Sequence, residues 1–169
     1  MSYDLDNEQL MYASNINTKI APASITKLMT AILLLDNYEI NDEISVRINK
    51  QNIEGKIAYM QDNQRMTVAT LLDFLLVYSA NDAAHVAALA VSKTEDEFIK
   101  LMNDKATILG MYDTNFSNVH GLDEEDHFTT LDDLLKLTLE AIRYDEIIVS
   151  TNKEYFYSDA VDSNTVKYY

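Results

Sequence analysis

Two side chains near the start of an apolar segment have the types and the spacing that nucleophilic catalysis requires. Ser24 and Lys27 open the stretch APASITKLMTAILLL, residues 21–35, and on a helix residues three apart share one face. A serine hydroxyl becomes a good nucleophile when a neighbouring base takes its proton. Burial and the positive end of a helix both lower the pKa of a lysine, and a neutral amine can serve as that base. The pair therefore predicts a serine nucleophile with a lysine base.

The same pair also fits a purely structural interpretation, in which Ser24 caps the helix and the Lys27 ammonium reaches water. Against it, a capping box places Glu or Gln three residues after the cap. A cation in the first turn also opposes the helix dipole by about 0.3–1 kcal/mol. Spacing alone does not separate the two interpretations. A second Ser-x-x-Lys match, Ser150 to Lys153, has no apolar helix behind it and is interpreted as chance.

A second group of polar residues interrupts the apolar sequence LLDFLLVYSANDAAHVAALA. Ser79, Asn81 and Asp82 lie where one predicted helix gives way to the next. Residues of these types commonly end one helix and cap the following one, and this is the interpretation favoured for Asp82. For Ser79 and Asn81, the order in which the two polar groups follow each other supports a catalytic alternative, developed below.

Periodicity places both groups on helices that stand beside a sheet. Helical patterns cover residues 23–38, 67–78, 82–92, 94–110 and 129–144, and Thr94 with Glu97 has the spacing of a capping box. Short strands are predicted within 8–14, around 44–48 and 56–60, and at 153–158 and 165–169. Seven of the eight positions from Leu28 to Leu35 are apolar, which predicts a helix buried on every side.

Composition excludes several classes of protein. The 169 residues suit one ordinary domain, and 47% of them are apolar, which is enough for a core. The formal charge of −15 would repel nucleic acid or an anionic membrane, so nucleic acid is not an expected partner. The absence of cysteine excludes disulfides and thiolate metal sites. The sequence shows neither a secretion signal nor an apolar run of membrane-spanning length.

With Ser-x-x-Lys followed by Ser-x-Asn, the chain resembles the penicillin-recognising serine enzymes. The segment APASITKLMTA resembles the nucleophile segment of the D-alanyl-D-alanine carboxypeptidases, the low-molecular-mass penicillin-binding proteins of the peptidase S11 family. YSANDAA resembles their second motif, and residues 98–137, which include a Gly-Leu loop before a helix, are similar to their downstream region. The similarity covers about residues 8–169.

This resemblance implies a fold and an activity. The implied fold is α/β of the α+β type, a helical cluster on an antiparallel sheet, as in penicillin-binding proteins and serine β-lactamases. Residues 1–169 would form a single, partial D-alanyl-D-alanine carboxypeptidase catalytic domain. The implied substrate is the pentapeptide stem of peptidoglycan, with β-lactams as covalent inhibitors. No cofactor or metal is implied, and the implied location is extracytoplasmic, at the cell envelope.

The resemblance also implies a role for each matching residue. Ser24 would attack the carbonyl of the terminal D-Ala-D-Ala bond and form an acyl-enzyme, with Lys27 as its base. The backbone N–H of Ser24 would be one donor to the oxyanion. Ser79 would help to pass a proton to the departing D-alanine, and Asn81 would bind the peptide of the substrate. Water would then release the shortened stem.

One motif of the family does not occur. The family carries Lys-Thr-Gly on an edge strand, which supplies a cation for the substrate carboxylate and a second oxyanion donor, whereas here Lys93 and Thr94 are followed by Glu95. Loss of one such donor lowers rates by about 10²- to 10³-fold. We therefore expect a fragment of a longer enzyme. The alternatives are a non-catalytic module that binds peptidoglycan stems or a partner protein, and a class A-like β-lactamase, whose Glu-x-x-x-Asn loop has no suitable match.

The acidic segment HGLDEEDH, residues 120–127, could be read as a metal site. Its ligand spacing is not diagnostic, and runs of acidic residues are usually solvated loops, so the loop interpretation is favoured. His85, on an alanine-rich helix, is interpreted as a packed or surface histidine and not as a general base.

Overall fold

The computed structural model describes residues 1–48, 53–158 and 167–168. Its helices are α1 (Thr26–Leu35), α2 (Val68–Leu76), α3 (Asn81–Val91), α4 (Glu95–Ile108), α5 (Leu131–Ala141) and α6 (Asp145–Thr151). Its strands are β1 (Ser2–Asp4), β2 (Gln9–Tyr12), β3 (Glu43–Ser45), β4 (Arg65–Thr67), β5 (Tyr157–Ser158) and β6 (Lys167–Tyr168). They pair antiparallel, β1 with β2, β3 with β4 and β5 with β6. The predicted α+β class is confirmed.

Helix α1 is the centre of the helical cluster. It packs against α2, α3, α4 and α5, and most of its apolar side chains, among them Met29, Ile32 and Leu34, are fully buried. The prediction of a helix buried on every side is therefore confirmed. Because the helix is enclosed, the polar side chains of its first turns, such as Thr26 and Lys27, are also buried. Buried polar groups need partners inside the protein, and those partners define the site described below.

Three of the other helices start at caps that can be read locally. A threonine side chain accepts the backbone N–H three residues later at the starts of α2, α4 and α5. These caps are Thr67, Thr94 and Thr130. At α4, Glu97 also reaches back to the backbone N–H of Lys93, 3.0 Å away. Such caps stabilise a helix by about 1 kcal/mol each, and α1 has none.

The structure departs from the predicted elements in a few places. Helix α1 ends at Leu35, a few residues earlier than expected, and α6 was not predicted. The segment 56–60 is not a strand, because the N–H groups of Ala58 and Met60 donate to the side chain of Asp82 and not to a neighbouring strand. Residues 165, 166 and 169 of the last predicted strand lie outside the described residues. Within the described ranges, no helix has the length and apolarity that crossing a membrane requires.

Candidate active site

The start of α1 has no side-chain cap. A 3₁₀ turn, Ala23–Ile25, leads into α1, and neither Pro22 nor Ile25 makes a capping hydrogen bond at the positions before the two elements. Ser24 is exposed within this turn, so the interpretation of Ser24 as the helix cap is wrong. Ala23 has a left-handed φ of 49°, which costs a residue other than glycine about 1–3 kcal/mol and is found most often at functional sites.

Lys27 is buried beside this exposed serine. Its side chain is enclosed, with the residue 2% exposed, and Nζ donates to the carbonyl oxygen of His120 at 2.6 Å and to Ser24 Oγ at 3.5 Å. No ion pair involves Lys27 in the part of the chain that the structure describes. Burial lowers the pKa of Lys27 to about 8. The lowering of this pKa predicted from the sequence is therefore present, and it brings the neutral amine closer to the physiological pH range.

A loop of residues 117–127, here called the clamp loop, holds the first turns of α1. The buried polar side chains of these turns, Thr26, Lys27 and Thr30, all bond to it. Their partners are the His127 ring at 2.9 Å, the His120 carbonyl at 2.6 Å and the Val119 carbonyl at 2.7 Å, respectively. Within the loop, Asn118 Oδ1 accepts the N–H of Gly121 at 2.7 Å. The position of the Lys27 amine therefore depends on a segment some ninety residues away along the chain.

Gly121 makes the closest approach between the clamp loop and the turn that carries Ser24. A Cβ atom at this position would lie 1.9 Å from the carbonyl oxygen of Ala23 and 3.0 Å from Thr26 Oγ1. The φ of Gly121 is +94°, which favours glycine. Only a residue without a side chain permits this contact, so Gly121 fixes how closely the loop approaches the residue before Ser24.

The second polar group lies between α2 and α3. Ser79 is half-buried and has a left-handed φ of 58°. Asn81 is the first residue of α3, and its Nδ2 donates to the carbonyl oxygen of Glu54 at 2.7 Å. No hydrogen bond joins Ser79 or Asn81 to Ser24 or Lys27 among the described residues. A carboxamide has a second N–H and an oxygen, so Asn81 retains the capacity to bind another group.

Asp82 has a different role from the predicted cap. The residue at the cap position of α3 is Ala80, with no side-chain hydrogen bond, and Asp82 lies in the first turn. Its carboxylate is 2% exposed and accepts N–H groups from Ala58 at 2.9 Å and Met60 at 3.1 Å. The capping interpretation of Asp82 is therefore wrong. Its side chain instead binds the segment 54–60, in which the carbonyl of Glu54 also accepts the hydrogen bond from Asn81.

Two histidines connect the clamp loop to α3. The rings of His120 and His85 lie 5.3 Å apart, and His85 pairs with Glu95 at the start of α4. Burial, then the charges of His85 and Lys27, lowers the pKa of His120 to about 4, so its ring is neutral near pH 7. Both histidines line a cleft of about 470 Å³, together with Leu122 of the clamp loop and Glu54.

The second Ser-x-x-Lys match has a structural role. Ser150 Oγ donates to Asp73 Oδ1 at 2.7 Å, and Lys153 Nζ donates to Asp73 Oδ2 at 2.6 Å. Asp73 is buried in α2, so the pair fastens α6 to α2. The described partner of this lysine is a carboxylate, in contrast to Lys27, whose described partners are a carbonyl and a hydroxyl.

Comparison with known proteins identifies the family of this site. The family described as D-alanyl-D-alanine carboxypeptidase, peptidase S11, matches residues 1–168. The chain belongs to the D-alanyl-D-alanine carboxypeptidase family. The carboxypeptidase DacF of Bacillus subtilis is 32% identical over 167 residues, which are 96% of this chain and 42% of that protein. The chain thus spans less than half the length of this carboxypeptidase.

Solved structures of carboxypeptidases and penicillin-binding proteins have the same fold. A D-alanyl-D-alanine carboxypeptidase from Mycobacterium tuberculosis aligns with a TM-score of 0.89 at 25% identity, over 99% of this chain and 63% of that one. Penicillin-binding protein D2 from Listeria monocytogenes, in its cefotaxime-bound form, aligns with a TM-score of 0.80 at 27% identity, over 93% of this chain and 66% of that one. The expected relationship to the carboxypeptidases and the expected fold are confirmed.

Sequence reasoning did not identify most of the residues that enclose Lys27 in this family member. The sequence offered His120 and His127 as possible metal ligands. In the structure the His120 carbonyl accepts a hydrogen bond from Lys27, and the His127 ring bonds to Thr26 and to the N–H of Ser117. The acidic residues between the two histidines are exposed, and no group of three or more potential ligands is arranged for a metal in the described residues. Gly121 was the sequence feature that could have indicated this close contact, because the chain has only three glycines and glycine is favoured where two backbone segments approach closely.

Proposed function

We propose that this chain carries the acylation machinery of a serine D-Ala-D-Ala carboxypeptidase, with Ser24 as the nucleophile and Lys27 as its base. The observation that carries the proposal is the Lys27 amine, which is buried with no carboxylate partner among the described residues and lies 3.5 Å from an exposed serine hydroxyl. A cation placed for stability would have a carboxylate partner, as Lys153 has. An amine without one is suited to accept a proton.

The proposed reaction begins with proton transfer from Ser24 Oγ to the neutral Lys27 Nζ. One N–H of the amine stays on the His120 carbonyl, and the neutral amine has a lone pair available for the proton of Ser24. The distance of 3.5 Å is long for this transfer, and such bonds commonly shorten when substrate binds. Ser24 Oγ then attacks the carbonyl of the terminal D-Ala-D-Ala bond, D-alanine leaves with a proton, and water hydrolyses the resulting ester.

Ser79 and Asn81 complete the proposed site. Ser79 and Asn81 follow Ser24 and Lys27 in the order of the Ser-x-x-Lys and Ser-x-Asn motifs, which supports a functional role for both. We assign Ser79 to the relay of the proton towards the leaving amine and Asn81 to the peptide of the substrate. The segment that accepts the hydrogen bond of Asn81, at Glu54, also lies close to the clamp loop. A Cβ atom placed on the next residue, Gly55, would contact both Asn81 and Leu122 of that loop.

The substrate that we propose is a peptidoglycan stem that ends in D-Ala-D-Ala, processed at the cell envelope, with β-lactams as covalent inhibitors. The distance of 3.5 Å between Lys27 Nζ and Ser24 Oγ, which is long for a proton transfer, also fits a second candidate. In that case the chain is a module that binds stem peptides or a partner protein without turnover. The two candidates differ in whether Ser24 forms a covalent bond.

Intact mass spectrometry of the chain after incubation with benzylpenicillin tests the proposal. We expect an adduct of one drug mass on the wild-type chain and none on Ser24→Ala. For Lys27→Ala we expect acylation to be slower by about 10²- to 10⁴-fold, the usual contribution of a general base. Ser150→Ala is the matched control, because it removes the serine of the structural Ser-x-x-Lys, and it should acylate normally.

The pH dependence of the acylation rate gives a second test of Lys27 as the base. Since only the neutral amine is a base, the acylation rate should rise about tenfold per pH unit up to about pH 8, the pKa of Lys27. An adduct that persists on Ser24→Ala would eliminate Ser24 as the nucleophile. A folded wild-type chain that binds a D-Ala-D-Ala peptide but gains no adduct would favour the binding module.

A further inference from the structure

His127 occupies a position that the reaction proposed above does not use. It is 2% exposed and lies at the end of the clamp loop, where its ring nitrogens make hydrogen bonds in two directions. Nδ1 accepts the backbone N–H of Ser117, at the other end of the loop, at 2.9 Å. Nε2 lies 2.9 Å from Oγ1 of Thr26, the first residue of α1. One ring therefore joins both ends of the loop to the helix that carries Lys27.

These bonds determine the protonation state of the ring. A backbone N–H can only donate, so Nδ1 must be the acceptor and Nε2 must carry the proton. Nε2–H then donates to Thr26 Oγ1. A doubly protonated ring would point a second N–H at the N–H of Ser117 and lose that bond. The observed contacts therefore require neutral imidazole with the proton on Nε2.

We propose that His127 is a positioning residue for the Ser24–Lys27 pair. In its neutral form it closes the clamp loop on α1 and so holds the His120 carbonyl against the Lys27 amine. The proposal rests on the proposed function, since the pair that it positions is the proposed nucleophile and base. In this proposal, residues 120–127, whose sequence could be read as a metal site, orient the Lys27 amine through their hydrogen bonds.

Three contacts transmit this role. Thr26 lies between Ser24 and Lys27, so a bond to its side chain fixes the turn that carries both. The bond from Ser117 closes the loop, which keeps the His120 carbonyl 2.6 Å from Lys27 Nζ. Gly121, between His120 and His127, is pressed against the Ala23 carbonyl. Opening the loop at His127 would therefore loosen the contacts on both sides of Ser24.

The role of His127 makes the site sensitive to acid. Burial lowers the pKa of His127, while the nearby carboxylates of Glu124 and Asp123 act in the opposite direction. Both carboxylates belong to the clamp loop, whereas α1 presents neutral Thr26 to the ring, and the packed ring of Phe116 is also neutral. Protonation at low pH would break the bond to Ser117 and release the loop, in addition to protonating Lys27.

Two variants of the whole chain separate bonding from titration. His127→Gln keeps one N–H donor for Thr26 and one carbonyl acceptor for Ser117 but cannot be protonated in this range. His127→Phe keeps a ring of similar size and loses both bonds. The acylation rate with a fluorescent penicillin would be measured from pH 5 to pH 8.5, with circular dichroism at each pH to verify folding. Nuclear magnetic resonance of labelled lysine and histidine would give the pKa values of Lys27 and His127 without requiring acylation.

The expected results differ for each variant. For the wild-type chain, the acylation rate should fall about tenfold per pH unit below pH 8 because of Lys27, and about a hundredfold per unit below the pKa of His127. His127→Gln should keep the first slope only and react within about threefold of wild type at pH 8. His127→Phe should react about 10²-fold more slowly at every pH, as expected for a displacement near 1 Å. The pKa of Lys27 should rise in His127→Phe, because an opened loop admits water.

The outcomes distinguish this proposal from the proposed function. If His127→Phe matches the wild-type chain in acylation rate and in the pKa of Lys27, His127 does not position the pair. If His127→Gln retains the second slope, the acid sensitivity arises elsewhere. If no variant is acylated, yet the pKa of Lys27 changes in His127→Phe and not in His127→Gln, the positioning role holds and the proposed function fails. Should His127→Phe not fold, the slope for His127→Gln decides alone.

Discussion

Replacement of Gly121 by alanine tests the contact between the clamp loop and the turn that carries Ser24. The added Cβ would lie 1.9 Å from the carbonyl oxygen of Ala23, and real Cβ atoms essentially never approach closer than 3.0 Å. The two backbones must therefore separate by about 1.1 Å. The carbonyl oxygen of Ala23 is a backbone atom, which no side-chain rotation can move away, so the displacement reaches Ala23 and the adjoining Ser24.

The free-energy cost has two parts that a control can separate. The positive φ of Gly121 alone costs alanine about 1–2 kcal/mol, and overpacking adds about 1–3 kcal/mol. Gly110 has a similar φ of +74° with nothing within 4 Å of a new Cβ, so Gly110→Ala should show only the first part. We expect Gly121→Ala to lose about 2–5 kcal/mol of unfolding free energy and Gly110→Ala about 1–2 kcal/mol.

Urea denaturation and the rate of acylation by a fluorescent penicillin measure the two effects. A displacement of about 1 Å at the nucleophile should slow acylation about 10²-fold in Gly121→Ala, while Gly110→Ala should acylate at the wild-type rate. If the two variants unfold at the same urea concentration and acylate equally fast, the loop yields without moving Ser24. The inference that Gly121 sets the geometry of the site would then be wrong.

Two further predictions concern a buried carboxylate and a partly buried tyrosine outside the clamp loop. Asp82→Ala leaves the N–H groups of Ala58 and Met60 without their carboxylate, so the unfolding free energy measured in urea should fall by about 3–5 kcal/mol. The control Asp126→Ala, at an exposed position, should change it by less than about 0.5 kcal/mol. Equal effects of the two substitutions would contradict the anchoring role of Asp82. Burial and the neighbouring Asp36 raise the pKa of Tyr144 to about 12, above its value of about 10 in the unfolded chain. The protonated tyrosine therefore stabilises the fold fully below pH 10, and this contribution to the unfolding free energy is lost as the pH rises from 10 towards 12. Tyr144→Phe should therefore show a shallower loss of stability between pH 9 and pH 11 than the wild-type chain, and parallel curves would exclude Tyr144 as the titrating group.

The sequence was informative wherever the deciding interactions are local. The threonine caps of α2, α4 and α5 bond three residues along the chain, and the apolar run from Leu28 to Leu35 marks α1 as a buried helix. Both signals follow from spacing within one turn or two. The motifs around Ser24 and Ser79 were also legible, because the family resemblance depends on short segments in a fixed order.

Local spacing was misleading where a side chain bonds to a distant segment. Asp82 and Ser24 have the residue types of helix caps, yet Asp82 binds the segment near Ala58, and Ser24 precedes a helix without a cap. The segment 56–60 has a strand pattern, but its N–H groups are taken by Asp82. For Asp82 and for the segment 56–60, a contact formed only in the folded chain outweighs a local preference of about 1 kcal/mol.

The sequence by itself determined the helical cluster, the buried central helix and the pairing of a serine with a lysine on one helical face. Only the tertiary structure decided how deeply this lysine is buried and which of the described groups surround Nζ, and this burial lowers its pKa. It also decided that the carbonyl of His120 holds the Lys27 amine and that the ring of His127 bonds to Thr26. A sequence specifies which groups can bond, whereas the three-dimensional packing of segments some ninety residues apart selects which of them do.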